Sequence, residues 1–242
     1  MRRFLLAAAG ALLLAGAAVG LERRRRRWVT VLNARIPAHH VHWQQRGRVD
    51  PEAVLYVALG DSAALGLGAS DPDRGYVGLV AERIAAVTGR RVRVRNLAID
   101  GATLAVVIRD ELHRMRGLEP DVVTLGVGAN DVWRFEPGRF ERELDEVCAA
   151  LPPGSIVSEL PSFSVLPVAG RVRAANRIVH EVADRYGFWV APLHATTGAG
   201  GLLDALLGAA GDLFHPNDRG HRRWAEAFLP GVLAALRAKG LA

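Results

Sequence analysis

Residues 54–70 read V-L-Y-V-A-L-G-D-S-A-A-L-G-L-G-A-S. Val54–Leu59 is an unbroken apolar run, the pattern of a strand buried on both faces. It stops at Gly60-Asp61-Ser62, then passes into small residues and two further glycines, Gly66 and Gly68. A buried strand ending this way sets the Ser62 hydroxyl at the carboxyl edge of a sheet, where open α/β sheets take their ligands. Ser62 is therefore a candidate nucleophile. The tripeptide also reads as a plain turn, since all three residues favour turns. What the rest of the chain brings to that edge decides between the two.

Beyond this stretch, helix and strand periods alternate. The spacing predicts a helix over 76–88, with Val77, Val80, Ala81, Ile84 and Val87 on one face and Gly89 closing it. A strand over 92–98 and a helix over 104–115 follow, the latter capped by Asp100 or Thr103. Next come a strand over 121–127, a helix over 137–151 and a strand over 155–160. A loop holding Pro161 and Pro167 leads to a helix over 168–186 and a strand over 188–193. Residues 194–211 fit neither period, and a helix over 216–236 closes the chain. Five short apolar strands separated by helices imply right-handed crossovers and a parallel sheet covered on both faces. The class is α/β, with one domain over residues 51–242.

The 242-residue chain carries a net charge of +6. Residues 1–27 hold seven arginines against Glu22 and so account for all of it; the other 24 basic and 24 acidic residues cancel. The domain has no basic stripe of the kind that binds phosphate backbones, so a nucleic-acid partner is not expected. Phe4–Leu21 has no charge and no proline, and as a helix it spans about 27 Å, close to a bilayer core. It reads either as a signal peptide, with Ala15-Gly16-Ala17 as the cleavage site, or as an uncleaved anchor. The five arginines Arg23–Arg27 favour the anchor. The expected location is membrane-associated or exported, with the side left open. Residues 28–50 read as a linker or short helix.

The strand ends converge on one edge. They bring Ser62 after the first strand, Gly101 after the second and Asn130-Asp131 after the third. Asp212-Leu213-Phe214-His215 arrives near the end of the chain. A serine nucleophile needs a base and a group that orients the base. His215 can be the base and Asp212 can hold its Nδ1–H. The N–H groups of Ser62 and Gly101 and the Asn130 amide can donate to an oxyanion. Taken singly, Asp212 could cap the last helix, Asn130-Asp131 could form a turn, and Gly101 could permit one.

Together these blocks resemble the SGNH/GDSL hydrolase family. Its four naming residues match Ser62, Gly101, Asn130 and His215 in order. Its G-D-S, G-x-N-D and D-x-x-H blocks match Gly60–Ser62, Gly128–Asp131 and Asp212–His215. The resemblance covers about residues 54–236. It implies a three-layer αβα, flavodoxin-like sandwich with a five-stranded parallel sheet. It also implies hydrolysis of carboxylic esters or thioesters through an acyl-enzyme, without metal or cofactor. Two positions depart from the pattern: Ala63 replaces the leucine of G-D-S-L, and Asp100 precedes Gly101 where a small residue or serine is usual.

The expected substrate is an acyl ester, a lipid at the membrane foremost. A carbohydrate O-acetylesterase, a thioesterase of the same fold and a silent membrane-tethered binding protein are the alternatives. No G-x-S-x-G surrounds any serine, and no G-x-G-x-x-G follows a strand. Lone Cys148 reads as a buried hydrophobe. His39, His40 and His42 lack further ligands for a metal and read as solvated or interfacial. His221 reads as surface or helix packing, Asp61 as a brace of the nucleophile turn.

Overall fold

The computed structural model describes residues 2–163 and 168–242, so Pro167 of the expected loop lies outside the described residues. The elements run α1 (Arg2–Arg46), β1 (Val54–Gly60), α2 (Ser62–Leu65), α3 (Tyr76–Thr88), β2 (Val92–Asn96), α4 (Leu104–Val106) and β3 (Val122–Gly126). They continue as α5 (Pro137–Ala150), β4 (Ile156–Ser158), α6 (Ala169–Tyr186), β5 (Trp189–Ala191), α7 (Leu193–Gly198), α8 (Gly201–Gly208) and α9 (Asp218–Ala238). The five strands form one parallel sheet in the order β2-β1-β3-β4-β5.

The side-chain alternation of β1 splits the core in two. Val54, Tyr56 and Ala58 face α1, α3 and α9, together with Tyr76, Ile84, Trp224 and Phe228. Val57 and Leu59 face α4, α5 and α6, with Leu104, Phe140, Leu144 and Val179. This is the three-layer arrangement. The connection from β1 leaves toward one side and β3 lies on the other, so the sheet order reverses between them. The carboxyl ends of β1 and β3 therefore border the crevice where such sheets place ligands.

Several elements differ from the sequence expectations. The helix over 104–115 is broken: α4 gives way to a π turn over Val107–Glu111 and a 3₁₀ turn over Leu112–Met115. The wider turn adds a residue and lets the Glu111 carboxyl group accept the Gly60 N–H at 3.0 Å beneath the end of β1. β2 ends at Asn96, whose Nδ2 donates to Ala64 O and whose Oδ1 accepts the Ala98 N–H, while the Leu97 and Ile99 N–H groups still reach Ala58 O and Gly60 O. The unplaced residues 194–211 hold most of α7 and all of α8.

Residues 28–46, expected as a linker or short helix, are the docked end of α1. Leu32, His39 and Trp43 are buried, and Trp28 and Ile36 pack against the same core cluster. Their spacing makes one helical face. His39 is thus not a solvated residue. Among the described residues no helix is long and apolar enough to cross a membrane.

Candidate active site

β1 carries the chain to Ser62 through Gly60. Gly60 has φ +150°, and a Cβ there would stand 2.3 Å from Gly126 O on β3. Only glycine lets β1 turn while remaining paired. Asp61 then caps α2, its Oδ1 accepting the Ala63 N–H at 2.9 Å. Ser62 begins that single turn and is itself buried.

The facing loop lies between α8 and α9. Leu213 holds φ +60°, the one non-glycine residue with positive φ among the described residues. This conformation costs on the order of 1–3 kcal/mol. It folds the loop so that Asp212 Oδ1 accepts the N–H groups of Phe214 at 3.2 Å and His215 at 3.1 Å. Asp212 Oδ2 is 2.6 Å from His215 Nδ1, and His215 Nε2 is 2.9 Å from Ser62 Oγ. Burial acts to raise the Asp212 pKa. The bond to His215, its charge and the two backbone donors outweigh burial and hold the carboxyl below its ordinary value. An ionised Asp212 fixes the proton on Nδ1, which leaves Nε2 to accept the Ser62 O–H.

Asn130 lies to the other side of the nucleophile turn. Its Nδ2 donates to Ala102 O at 2.9 Å and stands 3.5 Å from Asp61 Oδ2. One amide proton is thus committed to backbone, and the other is held only by a long contact. Gly101 and Asn130 line one open cavity of about 370 Å³ with Thr103 and Trp133. A smaller cavity of about 100 Å³ adjoins His215, walled by Phe163, Phe214, Ala205 and Ala209. The structure therefore joins Ser62, His215 and Asp212 into one hydrogen-bonded chain, sets Asn130 against Asp61 next to Ser62, and puts Gly101 in the same cavity as Asn130.

The sequence reading missed a set of residues that hold this geometry. His221 is fully buried: its Nδ1 accepts the Tyr76 N–H at 3.2 Å, and its Nε2–H donates to Leu67 O at 3.0 Å. Burial lowers its pKa to about 4, so it stays neutral. His39 Nδ1–H and Trp43 Nε1–H both donate to Leu65 O, at 2.9 and 3.0 Å. These partners are backbone carbonyls, which leave no mark in a sequence, although the 28-32-36-39-43 spacing was there to find. Buried carboxyls complete the frame. Burial raises Asp61 to about 6, Asp131 to about 7 and Glu111 to about 8, while each accepts a backbone N–H.

The GDSL-like lipase/acylhydrolase family model matches residues 58–223, the stretch that holds β1, the nucleophile turn and the loop of Asp212 and His215. The chain belongs to that family. This GDSL-family chain is also similar to solved structures. One is LAE5, an alpha/beta hydrolase enzyme from the metagenome of Lake Arreo, at 25% identity and TM-score 0.62 over 76% of this chain and 97% of that one. Another is TesA, at 24% identity and TM-score 0.62 over 75% and 99%. A third is the acetylxylan esterase Axe2 from Geobacillus stearothermophilus, at 22% identity and TM-score 0.59 over 75% and 94%. Comparison with curated protein sequences gives no match. The family assignment makes the chain an ester hydrolase.

Proposed function

We propose that this enzyme is a membrane-associated serine esterase that cleaves short acyl esters through an acyl-enzyme. The observation that carries the reading is the chain Ser62 Oγ–His215 Nε2 at 2.9 Å and His215 Nδ1–Asp212 Oδ2 at 2.6 Å. Ser62 Oγ attacks the ester carbonyl while its proton passes to His215 Nε2. Asp212 orients the ring and stabilises the imidazolium. The oxyanion draws on the N–H groups of Ser62 and Gly101 and on the second amide proton of Asn130; a donor of this kind contributes about 3 kcal/mol in the transition state. The alcohol leaves with the proton from His215. Water then repeats the sequence on the acyl-Ser62 ester and frees the acid.

The acyl preference follows from volume. The cavity beside His215 is small, about 100 Å³. Phe163 and Phe214, stacked with ring centroids 6.1 Å apart, line this space and favour a short apolar group. Acetyl to butyryl groups fit it, which makes small O-acyl esters on lipids or carbohydrates the substrate class. Membrane association rests on the sequence of Phe4–Leu21 and Arg23–Arg27.

A fluorophosphonate probe tests the nucleophile: wild-type protein labels and Ser62→Ala does not. Equal labelling of both would end the Ser62 assignment. A series of p-nitrophenyl esters tests the acyl pocket. Acetate and butyrate should exceed decanoate by at least about tenfold, a gap of 1.4 kcal/mol. A preference for decanoate would overturn the short-acyl reading.

A further inference from the structure

α8 is built inside out. Its sequence G-L-L-D-A-L-L-G holds one charged residue, Asp204, which is buried and paired with Arg219 at 2.6 Å and with Arg223. Its leucines Leu202, Leu203, Leu206 and Leu207 are 43–71% exposed. The inner face is fixed to α9, with Gly208 against Gly220 and the Asn217 amide donating to Leu207 O and Ala209 O. That inner face, through Ala205 and Gly208, also walls the small cavity at His215. A water-exposed helix normally carries its polar residues outward. Four leucines turned out at the wall of a catalytic cavity form an apolar surface that asks for a partner.

The partner is indicated by what lies next to it. The Trp28 ring covers Gly211, three residues past α8; a Cβ on Gly211 would meet it at 2.2 Å. Arg25 is close enough to Asp212 for that carboxylate, after Glu22, to raise its pKa. From Trp28, α1 runs inward to Leu65 through His39 and Trp43, and Gly47 abuts Val94 O on β2. The helix therefore leaves the domain at the carboxyl edge of the sheet, the edge that holds Ser62 and His215. Arg23, Arg24, Arg26 and Arg27 are exposed on its outgoing turns, where Glu22 pairs with Arg25 and Arg26. Residue 21 lies about 10 Å beyond Trp28 along a helix. Arginines beside an apolar face, at that distance from the end of the Phe4–Leu21 run, are the composition that anionic headgroups and acyl chains accept together.

We propose that the outer face of α8, with Arg23–Arg27 beside it, seats in the interface of an anionic lipid bilayer and turns the catalytic edge toward the membrane. This rests on the reading of Phe4–Leu21 as a membrane segment. It adds that the domain does not tumble on a tether: α1 is clamped to the nucleophile turn and α8 is set down on the surface.

Cys148 is buried, so a cysteine introduced at Leu203 is the site that takes a thiol-reactive dye. The full chain carrying Leu203→Cys, labelled with nitrobenzoxadiazole, is mixed with phosphatidylglycerol vesicles containing a spin-labelled lipid. Glu119→Cys, exposed at the opposite edge before β3, is the reference. The dye at 203 should shift to the blue and be quenched at least about twofold, as an interfacial helix face is, while the dye at 119 stays unquenched. A dye at 203 as wet as that at 119, on protein that sediments with the vesicles, overturns the docking of α8 alone. Failure to sediment removes the membrane segment and the docking together. A blue shift without lipid that grows with protein concentration assigns the face to a second copy of the chain and overturns the proposal. Hydrolysis of p-nitrophenyl acetate by the same labelled protein reads the hydrolase function separately.

Discussion

Gly68 separates the nucleophile loop from the base by less than one methyl group. Its φ is +93°, and a Cβ there would stand 2.2 Å from Pro216 O and 3.0 Å from His215 Cβ. A carbon meets a carbonyl oxygen comfortably at about 3.3 Å. Gly68→Ala must therefore drive the 215–216 loop back by about 1 Å. His215 Nε2 is 2.9 Å from Ser62 Oγ, so the same retreat takes it to about 3.9 Å, outside hydrogen-bond reach. A misplacement of this size costs turnover about 10²-fold. Left-handed backbone adds about 1–2 kcal/mol of instability and overpacking about 1–3 kcal/mol.

Gly89→Ala separates these effects. It has φ +64° with nothing within 4 Å of its Cβ position, and it closes α3 away from the site. It should lose stability but keep its rate. The assay is kcat/KM on p-nitrophenyl butyrate, at a temperature where near-ultraviolet circular dichroism shows both variants folded. Folded Gly68→Ala within threefold of wild type would refute the claim that loop spacing sets the Ser62–His215 contact.

Two more outcomes follow from the charges at the site. Asp212→Asn keeps an oxygen for the Phe214 and His215 N–H groups but presents an amide N–H to His215 Nδ1. That places the ring proton on Nε2, where it cannot accept from Ser62, so kcat should fall by about 10³–10⁴-fold with the melting temperature nearly unchanged; retained activity would remove Asp212 as orienter. Glu111 is held protonated by burial, from an ordinary 4.5 up to about 8, so the native state binds the extra proton between those values and loses this stabilisation as pH rises through about 8. Glu111→Gln should match wild type in urea denaturation at pH 5 and exceed it at pH 9 by on the order of 3 kcal/mol, and equal stability at both would contradict a neutral buried carboxyl.

The strands and the blocks that carry Ser62, Asp212 and His215 to one edge were legible because their signals are local. β1 and β3 are apolar runs that end in small polar residues, and a parallel sheet puts all such ends on one edge. Gly101 and Asn130 were legible as neighbours, but not the commitment of one Asn130 proton to Ala102 O. What stayed hidden depends on distant backbone. The π turn carries Glu111 to the Gly60 N–H, and His221 answers to Leu67 O and Tyr76 N–H. Gly68 shows no constraint in the sequence, because its constraint is the distant Pro216 O. α1 hid its docking face because charge and a histidine cluster dominate the composition there, while only every third or fourth residue touches the core.

These hidden contacts share one target. Leu65 O receives His39 and Trp43, Leu67 O receives His221, Ala64 O receives Asn96, and the Gly60 N–H is held by Glu111. The nucleophile turn is thereby gripped on both sides of Ser62 by α1, α9, β2 and the π turn. Leaving any one of these buried donors or acceptors unpaired would cost about 1–3 kcal/mol, so the turn has little freedom to drift. The opposing loop is held differently: strain at Leu213 is offset by three bonds to one carboxylate. The side of Gly101 and Asn130, proposed to hold the oxyanion, is the least fixed, with a single firm bond at Asn130 and open space at the Gly101 Cβ position. On the proposed mechanism, substitutions at Asn130 should therefore act more on the transition state than on the fold.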